Sequence, residues 1–170
     1  RSPLVRSSAA SDVYKRQRLP NPPKGARPPM VAFYSALSGE AGLDADQPRL
    51  QLAAGTAVQA LAAHGLPAQG FYVLAPGAEY GPAKRWPAAH FAALAAELAL
   101  PVLLLGSGKD APVCAEIATA VNAQRPSHCR DLAGKTTLDQ AIALIASARA
   151  MVSNDSGLMH VAAALRRPLV

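Results

Sequence analysis

Aromatic residues make up only 5% of the 170-residue chain, with a single tryptophan. That scarcity removes the stacking platforms on which single-stranded nucleic acids are held. Cysteine is nearly absent as well. Cys114 and Cys129 are the only two, too far apart for a CxxC metal or redox pair. The expectation is two reduced thiols, at least one of them partly buried, in a cytoplasmic chain. No apolar run reaches the roughly 18–20 residues that a membrane span needs, and no leader with an apolar stretch followed by small residues is visible. Several chemistries lack their patterns: there is no HExxH, no GxSxG, no GxxxxGK[ST], no complete GxGxxG, and no Cys/His cluster with metal spacing. Neither a catalytic set nor a general base is identifiable. The net charge of +6 is unevenly placed. Arg1, Arg6, Lys15, Arg16 and Arg18 against Asp12 put +4 on residues 1–18 and leave +2 for the rest. A near-neutral body without a basic stripe gives no reason to expect a nucleic-acid partner.

What is present is apolar: 51% of residues are hydrophobic and 16% charged, enough for a packed core. Residues 1–17 show neither helical nor strand periodicity and read as a non-native or disordered tail. Five prolines between 18 and 29 exclude a helix or a central strand there. Residues 30–37 (MVAFYSAL) suggest a short helix and 48–52 (PRLQL) an extended segment. Residues 56–64 suggest a helix closed by Gly65. From residue 70 a strand–helix rhythm sets in. Strands are expected at 71–75, 101–105, 128–132 and 148–153. Helices are expected at 87–100, 111–123 and 138–148, with another opening at about residue 157. Residues 167–170 begin a further strand. Strands separated by helices of 10–15 residues imply α/β architecture: a Rossmann-like parallel sheet with helices on both faces. Ligands of such sheets sit outside the carboxyl ends of the strands, where three polar loops fall: 76–85, 106–110 and 154–157.

The segment 151–168 (MVSNDSGLMHVAAALRRP) joins a strand, a polar Gly turn and a helix whose Leu158, Val161, Ala162 and Leu165 share one face. The first amides of a helix lack internal partners and its dipole is positive there, so Ser156, Gly157 and Leu158 suit an anion, above all a diphosphate. Asp155 and Ser156 also suit plain N-capping, but capping occupies one of them and leaves the other for a ligand. Asp155, acceptor-only, fits a sugar hydroxyl. His160 shares the face of Ser156 and is either structural or a ligand contact. In loop 76–85, Gly77 and Gly81 allow close backbone approach. Lys84 offers an ammonium to a phosphate oxygen or is a solvated loop lysine, with Trp86 and Pro87 able to seat the loop on the next helix. Lys109 and Asp110 either border a ribose or base, or serve as a loop charge and a helix cap.

These stretches resemble a known family. PGAEYGPAKRWP (76–87), LAGKTTLDQAIALIASARAMVSNDSGLMHVAAALRRPLV (132–170), MVAFYSAL and PRLQL are similar to the ADP-heptose:lipopolysaccharide heptosyltransferases, over about residues 18–170 and with the heptosyltransferase II branch above all. The resemblance implies a GT-B fold of two Rossmann-like domains. Residues 48–170 would be the nucleotide-sugar domain, incomplete at its C-terminus, and 18–47 a remnant of the acceptor domain and linker. It implies inverting transfer of heptose from ADP-heptose to the lipid A–Kdo–heptose acceptor at the inner face of the cytoplasmic membrane, with no cofactor and no essential metal. By resemblance, Lys84 contacts the diphosphate. Asp155, Ser156, Gly157, Leu158 and His160 hold diphosphate and heptose, Thr136 lies near the adenosine, and Gly77, Ala78 and Glu79 line the first loop. The family's base, an aspartate, belongs to the acceptor domain, so the chain alone is expected to be inactive. The alternatives are a non-catalytic nucleotide-binding Rossmann-like module, since fold does not settle activity, and another heptosyltransferase of the same family.

Overall fold

The two central strands occupy the segments 71–75 and 101–105, where apolar residues run nearly unbroken, as strands buried on both faces require. The computed structural model describes residues 49–67, 70–78 and 84–170. The tail at 1–17, the segment 18–47 with its helix expected at 30–37, Glu79 and Gly81 lie outside the described residues. Strands β1 (Tyr72–Ala75), β2 (Val102–Leu104), β3 (Cys129–Asp131) and β4 (Met151–Ser153) pair in parallel in the order β3-β2-β1-β4. Leu169 makes one further parallel bridge to Met151. The helices are α1 (Thr56–Ala63), α2 (Ala88–Glu97), α3 (Ala111–Gln124), α4 (Leu138–Ser147) and α5 (Gly157–Ala164).

Alternation along the strands sorts the core into two layers. Val73 and Ala75 of β1 and Leu103 of β2 face α1, α4 and α5, packing with Leu61, Leu144, Ile145 and Ala162. Leu74 of β1 and Val102 and Leu104 of β2 face α2 and α3, packing with Phe91, Ala95, Cys114, Ile117 and Val121. Helices therefore cover both faces, the Rossmann-like architecture expected. On α5 the apolar stripe behaves as its spacing implies: Ala162 is buried, and Leu158, Val161 and Leu165 pack against the first layer.

Two element ends differ from expectation by more than one residue, each for a local reason. β4 starts at Met151 rather than at 148. Ala148 is the extended residue that ends α4 (φ −72°, ψ 153°), and the Arg149 amide donates to the Phe71 carbonyl at 2.9 Å, so 148–150 lead into the ladder rather than belong to it. Helix α2 stops at Glu97 rather than near Leu100 because Leu98 turns extended (φ −68°, ψ 136°). Pro101 biases the residue before it away from helix. The Arg125 guanidinium then supplies partners for the freed carbonyls, donating to Ala96 O at 2.6 Å and Leu98 O at 2.7 Å. Other ends follow ordinary chemistry. Gly65 closes α1 at φ +60°. Thr137 opens α4 with a reciprocal box, its hydroxyl accepting from Gln140 N at 3.2 Å while its amide donates to Gln140 Oε1 at 2.9 Å.

The strand order reverses between β1 and β4, which makes that gap the topological switch point. Phe91 is 1% exposed and sits under the loop that rims it. Phe91→Ala should cost about 3–5 kcal/mol and Thr137→Ala about 1 kcal/mol, read from urea midpoints of the intact protein. Equal losses from the two would contradict this packing.

Candidate functional site

At the switch point the two strands run out together. Ala75 and Ser153 are register partners, so Pro76 and Asn154 emerge side by side. Asn154 N adds a last rung, donating to Ala75 O at 3.2 Å. Beyond that rung the Asn154 side chain takes over. Its Nδ2 donates to Pro76 O at 2.8 Å and its Oδ1 accepts from Trp86 N at 3.1 Å. One buried amide thus holds both ends of loop 76–85. The Trp86 ring stacks on His90 at 5.5 Å and meets Phe91 edge-on at 4.9 Å, seating the loop on α2 as expected for Trp86 and Pro87.

Two residues before Trp86, Lys84 reaches across to the residue after Asn154: Lys84 Nζ lies 2.6 Å from Asp155 Oδ2. Both side chains are half exposed, so the pair contributes little to stability; its consequence is placement. The Lys84 ammonium holds the Asp155 carboxyl below the usual carboxylate range, first through the hydrogen bond and then through its charge, with His160 adding a smaller pull in the same direction. Helix α5 opens immediately afterwards. Ser156 is its cap residue and makes no side-chain capping bond; its Oγ lies 3.1 Å from Ser153 Oγ. Neither Asp155 nor Ser156 is therefore spent as a cap, and the first amides of α5 keep their donor capacity at the positive end of the helix.

Behind the pair lies a cleft of about 600 Å³. Of the residues singled out from sequence, Gly77, Ala78, Lys109, Asp110, Thr136, Ser156, Gly157 and Leu158 line it. Lys84 and Asp155 are not among its lining residues but adjoin it through Ser156. His160 is exposed on α5 within electrostatic reach of Asp155. Two lining residues carried no sequence signal for this role. Arg85 donates from Nη2 to Ala78 O at 3.0 Å, and Leu138 presents an apolar surface 66% exposed. Lys109 is a second lining cation beside Arg85. Asp131 organises the approach to Thr136: its Oδ1 accepts from Ala133 N at 2.9 Å and its Oδ2 pairs with Lys135 at 3.0 Å.

Asp110 stands at the cap position of α3 without a side-chain bond to that helix, and it lines the cleft. Its Oδ2 accepts from both the amide and the hydroxyl of Ser107 at 2.8 Å. The carboxylate also explains Gly77, because a Cβ there would stand 2.5 Å from Asp110 Oδ1. Gly134 closes the same floor at φ +69°, where a Cβ would meet Gly108 Cα at 3.0 Å. Both cysteines are buried and unbridged, and burial is the main reason each thiol is pushed up to about 12. Among the described residues no group of three or more His, Cys, Asp or Glu could hold a metal ion, and no helix is long and apolar enough to cross a membrane.

A doubly wound parallel sheet, with a cationic side chain and an uncapped helix start at its switch point, defines a Rossmann-like α/β domain with an anion-suited crevice. Residues 6–170 match the family model described as Glycosyltransferase family 9 (heptosyltransferase), and the chain belongs to that family. It is 47% identical over 163 residues to lipopolysaccharide heptosyltransferase 2 of Escherichia coli, covering 86% of this chain and 46% of that protein. It is 57% identical over 98 residues to the protein of the same name from Salmonella typhimurium, covering 56% of this chain and 28% of that one. Among solved structures, the E. coli ADP-heptose lps heptosyltransferase II superposes with a TM-score of 0.76 at 45% identity, over 87% of this chain and 49% of that one. A family 9 glycosyl transferase from Veillonella parvula shares the fold, with a TM-score of 0.61 at 24% identity over 81% of this chain and 41% of that one. The chain thus spans less than half the length of these relatives.

Two measurements check the site's chemistry. Because the Asp155 value is depressed, the Lys84 pair is fully formed above the ordinary carboxylate value of about 4 and is lost only as pH falls through the lower Asp155 value. Carboxyl NMR should therefore find the Asp155 midpoint below that of an ordinary aspartate, and Lys84→Ala should move it upward; an ordinary midpoint in both contradicts the pairing. Cys114 and Cys129 should resist iodoacetamide at pH 8 in the native protein and react once it is unfolded. Rapid native labelling contradicts their burial.

Proposed function

We propose that residues 48–170 are most of the donor-binding domain of an enzyme that transfers heptose from ADP-heptose to the lipopolysaccharide inner core, and that 18–47 belong to the acceptor domain and linker of a two-domain GT-B protein. The observation that carries this reading is the meeting of Lys84 with the uncapped start of α5 at the switch point, in a chain of family 9. The printed names of its relatives agree: lipopolysaccharide or lipooligosaccharide heptosyltransferase 2.

In this reading the Gly157 and Leu158 amides take one side of the donor diphosphate and the Lys84 ammonium the other. During transfer the bond between the anomeric carbon and the phosphate oxygen breaks, and negative charge grows on departing ADP. Donors already aimed at that oxygen stabilise the transition state more than the bound substrate. Lys84, Arg85 and Lys109 supply positive charge from side chains, in keeping with transfer that needs no metal or other cofactor. Asp155 does two things: one oxygen orients Lys84, and the other is an acceptor for a heptose hydroxyl. His160, one turn into α5, lies beside the same carboxylate. Thr136 and the apolar face of Leu138 stand at the far wall, where the adenosine fits. Gly77 and Ala78 form the near wall, with Glu79 next along the same loop. The aspartate that would serve as base, and the lipid A–Kdo–heptose acceptor at the inner face of the cytoplasmic membrane, belong to the other domain of a cytoplasmic enzyme.

In the intact enzyme, Lys84→Ala should raise the KM for ADP-heptose and lower kcat, with a loss of about 10²–10³ in kcat/KM. Unchanged kinetics would remove Lys84 from the mechanism.

A further inference from the structure

We infer that Asn154 is a positioning residue for the donor diphosphate: its side-chain amide sets where the Lys84 ammonium stands relative to the first amides of α5. The inference rests on the donor-site reading and goes beyond it, because Asn154 itself lines no part of the cleft. Three observations carry it. Asn154 is 8% exposed and both ends of its side-chain amide are engaged, with Pro76 O and Trp86 N. Those two partners are the two ends of the loop that bears Lys84. And Asn154 is joined directly to Asp155, whose carboxylate receives Lys84. Loop, lysine and helix start are thereby referred to one rigid group.

The chemistry of the position is restrictive. The groups it meets are the Pro76 carbonyl and the Trp86 amide hydrogen, so the bridging group must donate and accept at once, just past the Asn154 N to Ala75 O rung. A short carboxamide does both. Alanine leaves a buried acceptor and donor without partners, and the loop then relaxes toward water. The leading consequence is displacement of Lys84 rather than loss of the sheet, because the β1–β4 ladder from Val73 to Ala75 is made by backbone groups that the substitution does not touch.

The test is a double-mutant cycle on ADP affinity in the intact protein, by calorimetry, with Asn154→Ala, Lys84→Ala and the double variant. If Asn154 acts through Lys84, each single substitution weakens ADP about tenfold and the double variant is no more than about twofold weaker than the poorer single one. A roughly hundredfold loss in the double variant, or an Asn154→Ala protein that binds ADP normally, overturns the inference. Asn154→Ser, which keeps a hydroxyl in the gap, is run through the same cycle should the alanine protein not fold. A second readout needs no nucleotide. In Asn154→Ala or Asn154→Ser the Asp155 carboxyl midpoint, held down by Lys84 and secondarily by His160, should rise toward that of an ordinary aspartate; an unchanged midpoint counts against the inference. Failure of the unsubstituted protein to bind ADP overturns the donor-site reading and this inference together. Binding with an additive cycle overturns only the inference.

Discussion

The side-chain amide of Asn154 joins two loops that the backbone ladder does not join. At the switch point between β1 and β4 the backbone pairing reaches Asn154 N on Ala75 O, and the Asn154 side chain carries the connection on into the loops. Without that connection, the ends of loop 76–85 and the start of α5 would be separate, mobile surfaces. The carboxamide donates to Pro76 and accepts from Trp86, so the loop, the strand end and the helix start become one frame. Buried amides of this kind are tolerated because every polar atom is satisfied.

Upon that frame the charges are arranged asymmetrically. Asp155 is drawn to Lys84 instead of capping α5, so the helix keeps its first amides for another acceptor while a cation waits beside them. The pair is exposed and stabilises the fold little; its worth is electrostatic preorganisation, donors set in place before charge develops. The floor of the cleft is made by close approach rather than by charge. Gly77 and Gly134 admit Asp110 and the Gly108 backbone at distances no side chain would permit, and the Asp110 carboxylate is consumed in holding Ser107.

Much of this was readable from residue order. The unbroken apolar runs at 71–75 and 101–105, and the 3.6 period of Leu158, Val161, Ala162 and Leu165, identify buried strands and a half-buried helix without tertiary information. Polar loops placed after strands in an α/β rhythm put residues 76–85 and 154–157 at one edge. The ends of α2 and β4 were less readable because they depend on distant partners: Arg125 on the carbonyls of Ala96 and Leu98, and Phe71 on the amide of Arg149. Asn154 looked like one polar turn residue among four. Its partners, the Pro76 carbonyl and the Trp86 amide, lie 78 and 68 residues away, so no local pattern marks it. Arg85 and Leu138 could not be assigned to the cleft from spacing, since nothing local distinguishes a lining side chain from a solvated one.

The central claim is that Lys84 and the first amides of α5 hold one diphosphate between them. A crystal structure of the intact protein with ADP tests it most directly. The expected result is a terminal phosphate within hydrogen-bonding distance of both Lys84 Nζ and the Gly157 or Leu158 amide, with the Asn154 bridge intact. A diphosphate bound elsewhere in the cleft, or contacted by the helix start with Lys84 turned away, would contradict it.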